Sequence, residues 1–163
     1  MAVRVLGALV IGAAIGFERT FHGRPAGFRT HALVCVASAL LMLVTVYQSH
    51  WMTETPIDAI RIDPTRMAQG IMTGIGFLGA GVIFKEGLTV RGLTTAASIW
   101  VTAAIGILVG IGFWFAAIVG AAAVLLVLAV FRFIEVRLPS EFYAYHMLRF
   151  LREKCWARRI CVN

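Results

Sequence analysis

Apolar runs alternate with short charged segments along the whole chain. Val3 to Phe17, Ala32 to Tyr47, Met67 to Phe84, Leu93 to Ile111 and Phe113 to Ile134 are each dominated by Ala, Val, Ile, Leu, Phe and Gly. Runs so greasy and so poor in charge predict membrane-spanning helices. The first, about 15 residues or near 22 Å as a helix, is short for a hydrocarbon core of about 30 Å and must recruit its flanks. Between the fourth and fifth runs only Gly110 to Gly112 can turn the chain, so Gly112 marks the expected reversal. The predicted fold is all-α: a polytopic transmembrane bundle of about five spans over residues 1–135, then a basic tail over 136–163. Beyond Pro139, Phe142, Tyr145, Leu148, Leu151 and Trp156 alternate with Arg149, Arg152, Lys154, Arg158 and Arg159. That stretch reads either as an amphipathic helix on an anionic leaflet or as a solvated tail.

Composition strengthens this reading. The chain is 60% hydrophobic and 14% charged, against about 25% charged in soluble domains. Its net charge of +7 does not form a soluble basic face, which argues against nucleic acid. Arg19, Arg24 and Arg29 fill the first connection, Lys85 and Arg91 the third, and seven Lys or Arg follow from Arg132 onward. In the second connection Arg61 and Arg66 are outweighed by Glu54, Asp58 and Asp63. The positive-inside rule then places the amino end outside and the carboxyl end in the cytoplasm, with Arg4 on the wrong side. The first run ends in Gly16-Phe17-Glu18-Arg19 without a small-residue cleavage site, so it is expected to be retained as a span. Cys35, Cys155 and Cys161 fit neither a disulfide framework nor a zinc pattern and are expected to be reduced thiols.

Small residues recur at helical spacing. Ala8, Gly12 and Gly16 form a stripe on the first run; Thr94, Ser98, Thr102, Gly106 and Gly110 form one on the fourth. Such faces serve close helix packing in lipid, and the hydroxyls could also line a polar route. Gly74, Gly76, Gly79 and Gly81 crowd the third run. The first three spell the dinucleotide fingerprint, yet no strand-to-helix context surrounds them, so they too are assigned to helix packing.

Glu18, Arg19, Arg29, Thr30, His31, Lys85, Glu86, Arg91, Thr94, Thr95 and Ser98 converge, in the predicted topology, at one membrane surface. An ion pair of Glu18 with Arg29 or Arg91 would lower the cost of charge near lipid. Two readings stand: ordinary interfacial charge, or a cluster that binds an anion, a lipid head group or a partner. Asp63 and Arg66 lie at the opposite end of the third helix, where Asp63 reads as N-cap and Pro64 as its first residue. The spans hold no carboxylate set for a divalent cation. No nucleophile and base share a depth, so neither a metal, a cofactor nor catalysis is expected.

At these residues the sequence resembles the MgtC/SapB family of bacterial inner-membrane proteins. The resemblance rests on GAAIGFER (Gly12–Arg19), PAGFRTH (Pro25–His31), DPTR (Asp63–Arg66), GIGFLGAGVI (Gly74–Ile83) and RGLTTAASIW (Arg91–Trp100). It implies a multi-span regulator in adaptation to low magnesium and in virulence, with the membrane ATP synthase as a partner, while the small-residue faces add self-association as a further expectation. A small transporter or channel for magnesium or another ion is the alternative. Fuller members continue into a soluble cytoplasmic domain, so a short branch acting through its membrane part is expected.

Overall fold

In the computed structural model, residues 1–51, 63–86 and 89–137 are described. The chain forms α1 (Ala2–Phe21), α2 (Phe28–Val46), a single turn α3 (Gln48–Trp51), α4 (Pro64–Val82), strands β1 (Phe84–Glu86) and β2 (Thr89–Arg91), α5 (Leu93–Ile111) and α6 (Trp114–Arg137). Each apolar run is therefore a long helix. The middle of the second connection, the Gly87-Leu88 turn and the tail beyond 137, with Cys155 and Cys161, lie outside the described residues.

Three of the five long helices, α2, α5 and the stretch Trp114–Phe131 of α6, are long and apolar enough to cross a membrane. Of the five expected spans, three meet that measure of length and composition among the described residues. Helix α1 carries Arg4, Glu18 and Arg19, whereas α4 carries Arg66, Gln69 and five glycines. At 19 residues, α4 nevertheless has the length of α2, about 28 Å.

Two further boundaries differ from the sequence expectation. Helix α2 begins at Phe28 rather than Ala32, because Arg29, Thr30 and His31 form its first turn instead of a connection. The third connection is an antiparallel hairpin, with Phe84 opposite Arg91 and Lys85 opposite Val90.

Helix α5 sits at the centre. One side joins α1, α2 and α6 through Ala8, Ile15, Cys35, Ala39, Ile105, Val109 and Ala117. Its other side joins α2 and α4 through Val34, Met42, Ile71, Ile99, Ala103 and Ile107. Glycine sets the spacing of α1, α2 and α5. A Cβ on Gly12 would stand 2.7 Å from both Cys35 Cβ and the His31 carbonyl oxygen, and one on Gly16 would stand 2.7 Å from Phe28 Cα. Gly106 faces the Cys35 carbonyl and Gly110 faces Met42 in the same way. Two stripes, one on α1 and one on α5, thus clasp α2 from either side. Gly112 closes α5 with φ +103°, a left-handed conformation open to glycine, and reverses the chain into α6.

At the start of α4, the Asp63 carboxylate accepts the Thr65 N–H at 3.0 Å and the Thr65 hydroxyl, with Pro64 following as first helical residue. These two Thr65 bonds hold the Asp63 carboxyl below the usual range. The cap is therefore at full strength above the ordinary carboxylate pKa of about 3.9 and is lost as pH falls through the lower folded value. Asp63→Ala is expected to speed hydrogen exchange at the Thr65 amide near neutral pH. Exchange as slow as in the unmodified chain would show that the cap contributes nothing.

Candidate functional site

Buried polar side chains gather where the carboxyl end of α1 meets the amino ends of α2 and α5. Arg19, His31, Thr95 and Ser98 are all buried, at 4%, 0%, 3% and 3% exposure. Such groups are expensive to bury unless they bond to one another. The Arg19 guanidinium donates to Thr95 Oγ1 at 3.1 Å. Ser98 Oγ donates to the Thr95 carbonyl at 2.8 Å and contacts His31 Nε2 at 3.1 Å. His31 Nδ1 donates to the Gly27 carbonyl at 3.0 Å. Helices α1, α2 and α5 are therefore tied by one hydrogen-bonded chain, Arg19–Thr95–Ser98–His31. With a neutral ring, the single Ser98 proton is claimed by both the Thr95 carbonyl and His31 Nε2.

The local sequence explains why these residues meet. Thr95, Ser98 and Thr102 follow three- and four-residue spacing, which puts them on one buried face of α5. Thr102 donates to the Ser98 carbonyl at 2.7 Å. On the facing helix, Ser38 returns its proton to the Val34 carbonyl at 2.8 Å. Thr20 closes the α1–α2 turn by donating to the Gly16 carbonyl at 3.0 Å and accepting the Phe28 N–H at 2.7 Å.

Other residues of the expected cluster stand outside this chain. Glu18 takes His22 as its partner, Nδ1 to Oε1 at 2.9 Å, rather than Arg29 or Arg91. The expected ion pair is thereby corrected: a residue one helical turn away reaches the carboxylate, leaving Oε2 buried with no hydrogen-bond partner. Arg29, Thr30 and Thr94 are exposed, as are Lys85 and Arg91 on the hairpin. Glu86 lies in β1, and its side chain is outside the described residues. Asp63 pairs with Arg66, Oδ2 to Nε at 3.6 Å, with both largely exposed. Among the described residues, no three His, Cys, Asp or Glu are grouped to hold a metal ion.

Within the chain, the third-run glycines do not pack as the others do. A Cβ on Gly79 would reach Ala96 Cβ at 3.7 Å, an ordinary contact; on Gly74, Gly76 or Gly81 it would meet nothing within 4 Å. Among the described residues, nothing packs against those three positions.

Arg4 has a role that the charge count does not reveal. Its Nη1 donates to the Gly110 carbonyl at 2.9 Å, and its guanidinium carbon lies 5.7 Å from the Tyr47 ring centre. The arginine thus satisfies an end carbonyl of α5 and sits at the negative end of that helix dipole. The only sequence signal was an arginine that offends the charge bias.

Comparison with known proteins bears on this architecture. The MgtC family profile matches residues 5–137, which span every long helix. The chain belongs to the MgtC family. Proteins of the family are regulatory membrane proteins rather than catalysts, linked to magnesium homeostasis and virulence. The chain is similar to the putative magnesium transporter YhiD of Escherichia coli K12, with 43% identity over 86% of this chain and 65% of that protein. It is 48% identical to Protein MgtC of Brucella abortus (strain 2308) over 68% of this chain and 42% of the relative. It is 39% identical to Protein SrpB of Synechococcus elongatus over 81% of this chain and 75% of the relative. The chain thus spans just under two thirds of YhiD and less than half of the Brucella protein. No solved structure matches it.

Proposed function

We propose that this chain is a non-enzymatic inner-membrane regulator that acts in adaptation to low magnesium and in virulence by docking against another membrane protein, with ATP synthase the partner to test. The observation that carries this reading is the outer face of α4. Gln69, Thr73, Gly76 and Ala80 recur at three- and four-residue spacing and are all exposed. Small and polar residues in contact with lipid are what transmembrane helix interfaces are made from, because they allow close approach and interhelical hydrogen bonds. The Arg19–Thr95–Ser98–His31 chain fixes α1, α2 and α5 as a rigid body against which α4 is presented. In this reading all five long helices span the bilayer, with the amino end outside, the carboxyl end in the cytoplasm, and a second copy as a further partner.

Gly76→Leu is expected to reduce ATP synthase co-purification to background while the protein still accumulates in the membrane, since a Cβ there meets nothing among the described residues. Equal capture by the variant would sink the docking face. The name of the E. coli relative favours transport as the second reading. Magnesium flux in liposomes holding only this chain, lost in Glu18→Gln, would replace the regulator by a transporter.

A further inference from the structure

A groove of about 430 Å³ runs between α2 and α4, on the side of α4 away from the face described above. Leu33, Ala37 and Leu41 wall it on α2, and Gly70, Gly74 and Leu78 on α4. From Leu33 to Leu41 the helix rises about 12 Å, close to the roughly 15 Å of one hydrocarbon leaflet. The groove exists because its α4 wall lacks side chains: a Cβ on Gly70 or Gly74 would meet nothing within 4 Å.

Its chemistry changes at one end. Thr30 stands one turn before Val34, and Arg29 one turn before Leu33, both groove residues. Arg29 and Thr30 are exposed, and Arg29 has no ion pair among the described residues. They also belong to the first turn of α2, whose N-cap Gly27 supplies no side-chain bond. Of the leading amides, Phe28 N–H is taken by Thr20. A helix amino end with open N–H groups, an arginine and a hydroxyl is suited to a phosphate. Helix α4 runs toward the same end, where its Val82 carbonyl lies against Gly92 at the start of α5, and leads into exposed Lys85.

We infer that this groove is a binding site for one anionic phospholipid, with an acyl chain between α2 and α4 and its phosphate at the amino end of α2 beside Arg29 and Thr30. The charge at the mouth decides the occupant. An apolar transmembrane helix would leave Arg29 and the open amides unmatched, whereas an anionic lipid satisfies both the groove and its rim.

Native mass spectrometry of the full chain, released from micelles holding equal phosphatidylglycerol and phosphatidylethanolamine, tests this directly. The unmodified chain is expected to retain one phosphatidylglycerol in preference to phosphatidylethanolamine. Arg29→Gln should weaken retention about fivefold and abolish the preference, the scale expected for one interfacial charge. Gly74→Leu and Ala37→Leu, which fill the groove from opposite walls, should lose the lipid without lowering the thermal midpoint below that of the unmodified chain. Retention undiminished in both groove variants would overturn the site, as would an unmodified chain that holds the two lipids equally. A dimer that Gly74→Leu dissociates without lipid loss would place a second copy in the groove instead.

Discussion

Gly106→Ala is expected to destabilise the isolated protein, while Gly76→Ala stabilises it. Both exchange glycine for alanine inside a helix, and helix propensity alone favours alanine by about 1 kcal/mol. The surroundings decide the sign. At Gly106 the new carbon would stand 2.5 Å from the Cys35 carbonyl oxygen, 2.9 Å from Ser38 Cβ and 3.1 Å from Cys35 Cα, two of them backbone atoms that cannot rotate away. Helices α2 and α5 must separate, and overpacking of this kind costs about 1–3 kcal/mol. Gly76 offers open space, so only the propensity gain remains. Thermal midpoints of the two purified variants should therefore move in opposite directions. A Gly106→Ala midpoint at or above that of the unmodified chain would contradict the close approach of α2 and α5.

This contrast also marks how far the sequence can be read. Hydrophobic length and charge spacing located all five long helices, because a run that greasy has few other conformations open to it. Small-residue spacing found the stripes on α1, α4 and α5 alike, but spacing cannot say which stripe meets a neighbour in the same chain. Gly12, Gly16, Gly106 and Gly110 find α2, whereas a Cβ on Gly74, Gly76 or Gly81 would meet nothing within 4 Å among the described residues. Charge puts Arg29 and His31 at the start of the second helix but outside its apolar run, and nothing local shows that His31 is buried against Ser98, 67 residues further on. The charge pattern suggests a distant arginine for Glu18, yet His22, four residues away, reaches it first. The third connection gives no sign of a hairpin in the sequence, because its two three-residue strands carry too little pattern to register. The family resemblance identified the blocks that form the buried chain, but not the bonds that link them.

The second large effect is expected at Thr95→Val. Valine matches the shape of threonine but removes the oxygen that accepts from the buried Arg19 guanidinium at 3.1 Å. Bonds to charged groups contribute about 1.5–3 kcal/mol, and a guanidinium 4% exposed cannot turn to water for a replacement. Thr95→Ser restores the hydroxyl and should recover most of that loss, which separates a hydrogen-bond role from a packing one. The neighbouring bond predicts a second pattern. Ser98→Ala leaves His31 Nε2 without its contact, and His31→Phe removes the ring nitrogens, so the double variant should lose less than the sum of the two singles. A coupling of about 0.5–3 kcal/mol in that cycle is the signature of a direct bond between α2 and α5. Denaturant unfolding in detergent measures all five variants. If Thr95→Val and Thr95→Ser proved equally stable, with His31 and Ser98 strictly additive, the Arg19–Thr95–Ser98–His31 chain would contribute nothing to joining the three helices, and the rigid frame proposed to present α4 would lose its buried polar tie.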